Sequence, residues 1–219
     1  MSQTFYAAAL GVSGIVLFGS FLIRVRAGRE ISKYGEKEAS SGVSGEELAE
    51  RVKNEEGMRE LEVTGSGAGG SYNPGEDRVE VPELDDDSLL GLGLMAHELA
   101  HARQVRSSPF IARLITILEY GGLVASLVGP PMLVIGLLFY PGMALAGLAL
   151  YLAVIPVIII EMGWEWRASS IALGLLERHG EVGEGDRHGL KKLLWLAILT
   201  RLSQLSAGLF RLIDFEEER

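Results

Sequence analysis

The sequence predicts a mainly helical α+β protein that is integral to a membrane, with three to four transmembrane helices and a small strand element. Three observations predict this class. Residues 5–23 carry no charge, and residues 120–160 contain no Asp, Glu, Lys or Arg over 41 positions. Short segments on either side of a glycine-rich stretch alternate apolar and polar residues, as half-buried strands do. The 219 residues suffice for one domain with membrane segments.

Composition limits the classes of function. Hydrophobic residues make up 48% of the chain, although 22% of the residues are charged, so the apolar residues must be clustered. The formal charge of −9 argues against a nucleic-acid partner, because neutralising phosphates needs a basic surface. The absence of cysteine excludes disulfides, thiolate metal sites and a cysteine nucleophile. Any metal ion must therefore be held by histidine and carboxylate.

The first apolar run, Phe5 to Ile23, is predicted to be a transmembrane anchor. Its 19 residues cover about 28 Å as a helix at ~1.5 Å per residue, close to the ~30 Å of a hydrocarbon core. Four cationic residues follow the run rather than precede it: Arg24, Arg26, Arg29 and Lys33. This order is typical of an uncleaved anchor whose N-terminus lies outside, with residue 24 onward in the cytoplasm.

The second apolar block is twice as long as one span and is predicted to be a helical hairpin. Tyr140-Pro141-Gly142 divides it, and Pro130-Pro131 is expected to kink the first half. Arginines precede the block and Glu161, Glu165 and Arg167 follow it, so both ends are expected on the cytoplasmic side. The Leu-rich stretch 190–213 carries scattered charges. It is expected to be an imperfect fourth span or a half-buried interfacial helix, with a soluble amphipathic helix as the alternative.

The polar region 24–108 is where chemistry is expected. Ser44-Gly-Glu-Glu47 is a capping box, which predicts a helix from Ser44 to about Gly57. Residues 61–64 and 78–81 are predicted strands. The glycine-rich stretch 65–77 lacks the residues of a phosphate-binding loop and is interpreted as a flexible turn. Asp85 to Asp87 place negative charge before the next helix, where the helix dipole favours it.

That next helix carries the motif Met95-Ala-His97-Glu98-Leu-Ala-His101. Residues four apart lie on one face of a helix, so His97 and His101 can bind a single ion. Glu98 lies one residue further round and can reach a water bound to that ion. This is the HExxH arrangement of zinc peptidases, with Glu98 as the general base.

A catalytic zinc usually has three protein ligands and one open position. Glu165 is favoured as the third ligand because its segment leaves the hairpin on the same membrane side as the HExxH helix. Glu161, one helical turn earlier, is the main rival. The other candidates are Glu119, Glu177, His179 and His188.

Several segments resemble the YugP-like membrane zinc metallopeptidases, also described as neutral zinc metallopeptidases. They are residues 41–49, residues 71–82, the zinc helix 95–104 and Glu165-Trp-Arg-Ala-Ser169. In that family the last of these is taken to supply the third zinc ligand. The order of anchor, HExxH helix, membrane hairpin and Glu-bearing helix is also similar to that of the HtpX-type membrane proteases.

Two positions depart from these patterns. The family's turn usually has an Asp-His pair before the tyrosine, where this chain has Gly70 and Ser71, so no role of that histidine is transferred. The HtpX-type pattern has an Asp after its ligand Glu, where this chain has Ser169. A serine there is expected to be a neutral hydrogen-bond partner that raises ligand basicity less than a carboxylate does.

The resemblance implies a zincin-like, gluzincin-type endopeptidase with one Zn²⁺ per chain. His97, His101 and Glu165 would bind the ion, and Glu98 would take a proton from the attacking water. A peptide substrate is expected to pair with an edge strand formed by Arg78, Val79, Glu80 and Val81. Tyr72, Arg167 and His188 are candidates for stabilising the oxyanion.

These expectations divide the chain into five segments: an anchor (5–23), a cytoplasmic-side catalytic region (24–108), a transmembrane hairpin (109–160), a third-ligand helix with a polar loop (161–189) and a C-terminal helix (190–213). The expected partners are the bilayer of the cell membrane and a peptide or protein substrate associated with it. The alternative is a noncatalytic membrane assembly or quality-control factor with a structural zinc. Retention of Glu98 argues against that alternative.

Overall fold

A computed structural model describes residues 3–65 and 69–202 of the chain. Helices predominate, and three short strands form one sheet. In chain order the elements are α1 (Gln3–Gly35), α2 (Gly45–Glu55), β1 (Glu62–Gly65), β2 (Ser71–Asn73), β3 (Arg78–Val81), α3 (Leu89–Ser107), α4 (Pro109–Phe139), α5 (Pro141–His179) and α6 (Glu184–Leu202). The chain forms two compact units. The hairpin unit is built around Leu114–Gly163, and the site unit consists of Gly28–Arg113 and Trp164–Ile198.

The hairpin unit confirms two apolar helices separated by a break at Tyr140. Within the described residues, α4 and α5 are the two helices long and apolar enough to cross a membrane. They approach each other closely at glycines. A Cβ built at Gly147 of α5 would overlap the backbone nitrogen of Leu133, and one at Gly136 of α4 would overlap that of Ala144. Only residues without a side chain permit this backbone approach.

Helix α5 continues well beyond the predicted end of the hairpin at residue 160. It runs for 39 residues, about 58 Å at ~1.5 Å per residue, which is nearly twice what one span needs. The charged residues that follow the apolar block do not end the helix, because Glu, Arg and Trp are compatible with helical backbone. Glu165 is therefore carried by the same helix as the second half of the hairpin.

The remaining membrane predictions fall partly outside the described residues. Residues 5–23 lie within α1, and their role as an anchor stays a prediction. Of the predicted C-terminal helix, residues 190–202 belong to α6 and residues 203–213 lie outside the described residues.

The site unit begins with α2, which forms where the capping box predicts a helix. Ser44 Oγ accepts a hydrogen bond from the backbone N–H of Glu47 at 3.3 Å. The Glu47 carboxylate accepts a hydrogen bond from the Arg51 guanidinium, 2.6 Å away, on the next turn. Leu48 and Val52 are fully buried on the opposite face, so the amphipathic pattern of α2 determines which side packs into the core.

The three strands form a sheet in the order β1-β3-β2. Strand β3 pairs in parallel with β1 and antiparallel with β2. Val79 and Val81 are buried while Arg78 and Glu80 are partly exposed, as period-two patterning requires. Strand β2 was not predicted, because its three residues lie in the glycine-rich stretch that was interpreted as a turn.

The sheet order corrects one expectation. Arg78–Val81 was predicted to be the edge strand that pairs with substrate, but β3 is the central strand and its backbone is hydrogen-bonded on both sides. A strand paired on both sides has no free edge to offer. An added peptide strand would have to pair with β1 or β2 instead.

Candidate metal centre

The two histidines of the HExxH motif lie on one face of α3. Their Nε2 atoms are 3.2 Å apart. The rings are nearly perpendicular, with an interplanar angle of 87° and 4.7 Å between centroids. Both residues are held in place because α3 packs its apolar positions, including the fully buried Leu92 and Leu99, into the core of the site unit. The local sequence thus places two ring nitrogens at one point.

Glu165 of α5 completes the cluster. Its Oε2 atom lies 3.0 Å from His97 Nε2 and 3.6 Å from His101 Nε2. The Glu165 side chain is 3% exposed, so the carboxylate is removed from solvent. His97 is also buried and His101 is partly buried. A carboxylate in such a place needs a partner or a compensating charge, because burial of a lone ionised group is costly.

The spacing of the three atoms fits a zinc ion. Ligands about 2.0–2.1 Å from a tetrahedral zinc lie roughly 3.3 Å from one another. The three observed separations, 3.0, 3.2 and 3.6 Å, lie on either side of that value. Two histidines and one carboxylate are also a donor set that catalytic zinc sites use. The residues present therefore fit the metal that the motif implies.

His97 departs from a common feature of zinc ligands. Its Nδ1 atom is buried without a hydrogen-bond partner among the described residues. Zinc-binding histidines usually donate this second N–H to a carbonyl or a carboxylate, which fixes the ring orientation. In this structure the His97 ring is oriented by packing and by its perpendicular contact with His101.

Glu98 follows His97 directly on α3 and is 7% exposed. Its backbone position lies about 100° further round the helix than that of His97. Glu98 is not one of the three members of the ligand cluster.

The other candidates for third ligand have different places. Glu161 is buried on α5 one turn before Glu165 but is not a member of the cluster that the described residues form. Glu177 accepts a hydrogen bond from Arg187 at 2.6 Å. His179 Nδ1 lies 3.4 Å from a Glu55 carboxylate oxygen at the far end of α5. Glu119 and His188 also lie outside the cluster.

Tyr72 of β2 belongs to a polar contact between the sheet and α3. Its hydroxyl donates a hydrogen bond to Asp77 at 2.9 Å, and Asp77 also pairs with Arg106 of α3. Burial, and then the hydrogen bond to the Asp77 carboxylate, together raise the pKa of Tyr72 to about 12. Tyr72 is thus a protonated phenol at neutral pH whose hydrogen is already donated.

The remaining expected site residues, Ser169, Arg167 and His188, are not members of the ligand cluster. Ser169 donates to the carbonyl of Leu194 at 3.2 Å and so joins α5 to α6. Arg167 and His188 are exposed, and within residues 3–65 and 69–202 neither pairs with the cluster.

Sequence reasoning missed Gln104, which is completely buried on α3 three residues after His101. A polar residue on the ligand face of the zinc helix was the signal that could have identified it.

Comparisons with known proteins identify a family. The model of a family described as "Putative neutral zinc metallopeptidase" matches residues 9–215. The chain is also similar to the "Putative membrane protease YugP" of Bacillus subtilis (strain 168), with 28% identity over an alignment of 230 positions that spans 95% of this chain and 92% of that protein. No solved structure matches the chain significantly.

Proposed function

The chain belongs to the "Putative neutral zinc metallopeptidase" family, and from this premise we propose that it is an integral membrane, zinc-dependent endopeptidase. The observation that carries the proposal is the convergence of His97 Nε2, His101 Nε2 and Glu165 Oε2 at separations of 3.0 to 3.6 Å. In this proposal these three residues hold one Zn²⁺ per chain in a gluzincin-type arrangement. An ion held by only three protein residues would still be able to bind water or substrate.

Zinc, when bound, supplies Lewis-acid chemistry: it polarises a carbonyl oxygen and lowers the pKa of water toward ~7. The protein supplies the proton transfers. Glu98 takes a proton from the attacking water while the water oxygen bonds to the carbonyl carbon of the peptide. The carbon–nitrogen bond then breaks, and Glu98 returns the proton to the leaving nitrogen. One water is consumed, and a carboxylic acid and an amine are formed, which become a carboxylate and an ammonium when the acid proton moves to the amine.

The substrate class follows from the membrane features. The similar Bacillus subtilis protein is named a membrane protease, and two helices of this chain are long and apolar enough to span a bilayer. Cationic residues 24, 26, 29 and 33 favour a cytoplasmic location for the chain after the first anchor. The proposed substrates are therefore membrane or membrane-proximal proteins of the cell membrane, cut on the cytoplasmic side.

Substrate contacts are proposed from the positions of nearby groups. An extended peptide can add to the sheet at an outer strand, and of these β2 packs against α3. Tyr72 on β2 can donate to a developing oxyanion only if its hydroxyl turns away from Asp77. Arg167 and His188 are exposed and would have to approach the cluster to take that role.

Glu98→Gln tests the proposal, with Glu50→Gln on the exposed face of α2 as the matched control. Each protein is purified in detergent, its zinc is counted, and cleavage of a peptide library is followed by mass spectrometry. We expect Glu98→Gln to keep its zinc while cleavage falls by roughly 10²–10⁴-fold, the usual contribution of a general base. Glu50→Gln should match the wild type.

Two outcomes would contradict the proposal. Undiminished cleavage by Glu98→Gln would remove Glu98 from the catalytic role. If every peptide that stays intact with Glu98→Gln also stays intact with the zinc-loaded wild type, the result would favour a noncatalytic membrane factor with a structural zinc.

A further inference from the structure

We infer that Gln104 is a positioning residue for the third metal ligand: its side-chain amide holds the peptide group that leads into Glu165. This inference rests on the proposed metal site. Gln104 lies outside the HExxH motif, and we infer that its hydrogen bond determines how closely α5 approaches α3.

The contact is a hydrogen bond from a side chain of α3 to the backbone of α5. Gln104 Nε2 donates to the carbonyl oxygen of Trp164 at 3.0 Å. That carbonyl belongs to the peptide bond whose nitrogen is that of Glu165. Because a peptide group is planar, holding the Trp164 oxygen also restrains the nitrogen and Cα of Glu165. The Gln104 amide thus positions the Glu165 side chain through the backbone of Glu165.

Gln104 lies on the same face of α3 as the two histidines. It lies three residues after His101 and seven after His97, which are the spacings of one side of a helix. Helix α3 therefore contributes two metal ligands and one side-chain hydrogen-bond donor along one face. The Gln104 amide donates its hydrogen bond to α5, the helix that carries the third ligand, Glu165.

The environment of the amide indicates that the bond has a role beyond filling space. Gln104 is 0% exposed, and its Oε1 atom has no hydrogen-bond partner among the described residues. A buried amide left partly unsatisfied costs stability, and an apolar side chain of the same shape would avoid that cost. The orientation of the amide is also determined, because the opposite one would place two oxygen acceptors against each other.

The test measures zinc affinity in the full-length, detergent-purified protein by competition with a chromophoric chelator. The main variant is Gln104→Met, which keeps the length of the side chain and removes the donor. The matched control is Arg51→Met, which removes a side-chain donor to another α5 carbonyl, that of His179, at 2.9 Å. His179 lies 15 residues beyond Trp164, about 22 Å along the helix.

We expect Gln104→Met to weaken zinc binding by roughly 10–100-fold, as loss of groups that orient metal ligands usually does. The metal-free unfolding temperature of this variant should stay within a few degrees of the wild type. The substitution also removes the unpaired Gln104 oxygen, and the Trp164 carbonyl lies inside α5, where the helix backbone supplies a hydrogen-bond donor. The visible spectrum of the Co²⁺-loaded variant should also change, because the carboxylate is no longer held in place. Arg51→Met should bind zinc within threefold of the wild type.

An unchanged zinc affinity in Gln104→Met, with one zinc bound by the wild type, would overturn the inference. A fall in affinity accompanied by an equally large loss of metal-free stability would also overturn it, since that pattern indicates a structural role. If Gln104→Met does not fold, Gln104→Leu, which also removes the donor without leaving a buried amide unpaired, gives the same comparison. A wild type that binds no zinc would instead refute the proposed function.

Discussion

Replacing Asp186 by Asn is expected to destabilise the site unit at neutral pH. The Asp186 carboxylate accepts three hydrogen bonds from the segment after α1. One comes from Lys37 Nζ at 2.7 Å, and two come from Ser40, through its backbone N–H at 2.7 Å and its Oγ at 2.6 Å. Asp186 is 4% exposed, near the start of α6. The contact therefore joins two parts of the chain almost 150 residues apart.

The magnitude follows from proton linkage. The hydrogen bonds from Lys37 and then Ser40 lower the pKa of Asp186 from 3.8 to about 2. Each unit of pKa corresponds to ~1.4 kcal/mol, so ionised Asp186 contributes on the order of 2 kcal/mol to folding. Because the pKa is lowered in the folded state, this contribution is fully present above pH 3.8 and is lost as the pH falls through about 2.

Urea denaturation in detergent, followed by tryptophan fluorescence, measures this difference. All three tryptophans, at positions 164, 166 and 195, lie in the site unit. Asp186→Asn should lose about 2 kcal/mol at pH 7, and the gap to the wild type should narrow below pH 4. The exposed Asp85→Asn is the control and should differ by less than about 0.5 kcal/mol. Equal stability of Asp186→Asn and the wild type at pH 7 would refute the reasoning.

Two further predictions concern the hairpin and the metal. Gly147→Leu places a side chain against the backbone of Leu133 and should cost about 1–3 kcal/mol or more, seen as a lower unfolding temperature. Gly121→Leu, where the neighbourhood is open, should change little, and equal effects of the two variants would argue against close packing of the hairpin. Removing zinc that was present at ~1,000 times its dissociation constant should lower the unfolding temperature of the wild type by roughly 8–16 °C. Glu165→Ala should lack most of this chelator effect, and a wild type indifferent to chelation would speak against a bound metal.

Local patterns predicted the elements whose causes are local. The uncharged block 120–160 predicted two helices and a break at Tyr140, and both are present. Ser44 and Glu47 predicted the start of α2, where Ser44 forms the expected cap. The order of the three strands could not be predicted, because it depends on pairing between segments separated by a glycine-rich stretch with no periodicity. The sequence predicted a helix after residue 160 but not that α5 runs unbroken from Pro141 to His179, because a change from apolar to charged side chains does not show whether the helical backbone hydrogen bonds continue.

In the candidate site, too, the local features could be predicted from the sequence and the long-range contacts could not. The i, i+4 spacing of His97 and His101 is sufficient to place two ring nitrogens together, so the motif alone predicted that part. Glu165 is 68 residues from His97 and was favoured over Glu161 by membrane topology and by family resemblance. The contact between Gln104 and Trp164 spans 60 residues, and the Asp186 contacts span almost 150. Such pairs depend on how the helices pack, which side-chain types and spacing do not determine.

The metal content of the detergent-purified protein tests the central claim most directly. It is measured by mass spectrometry of the metal in wild type, His97→Ala and Glu165→Ala, each after incubation with zinc and removal of the excess. The proposed centre predicts close to one zinc per chain in the wild type and a large loss in both variants. A folded wild type that retains no zinc after incubation, or variants that bind as much zinc as the wild type, would contradict it.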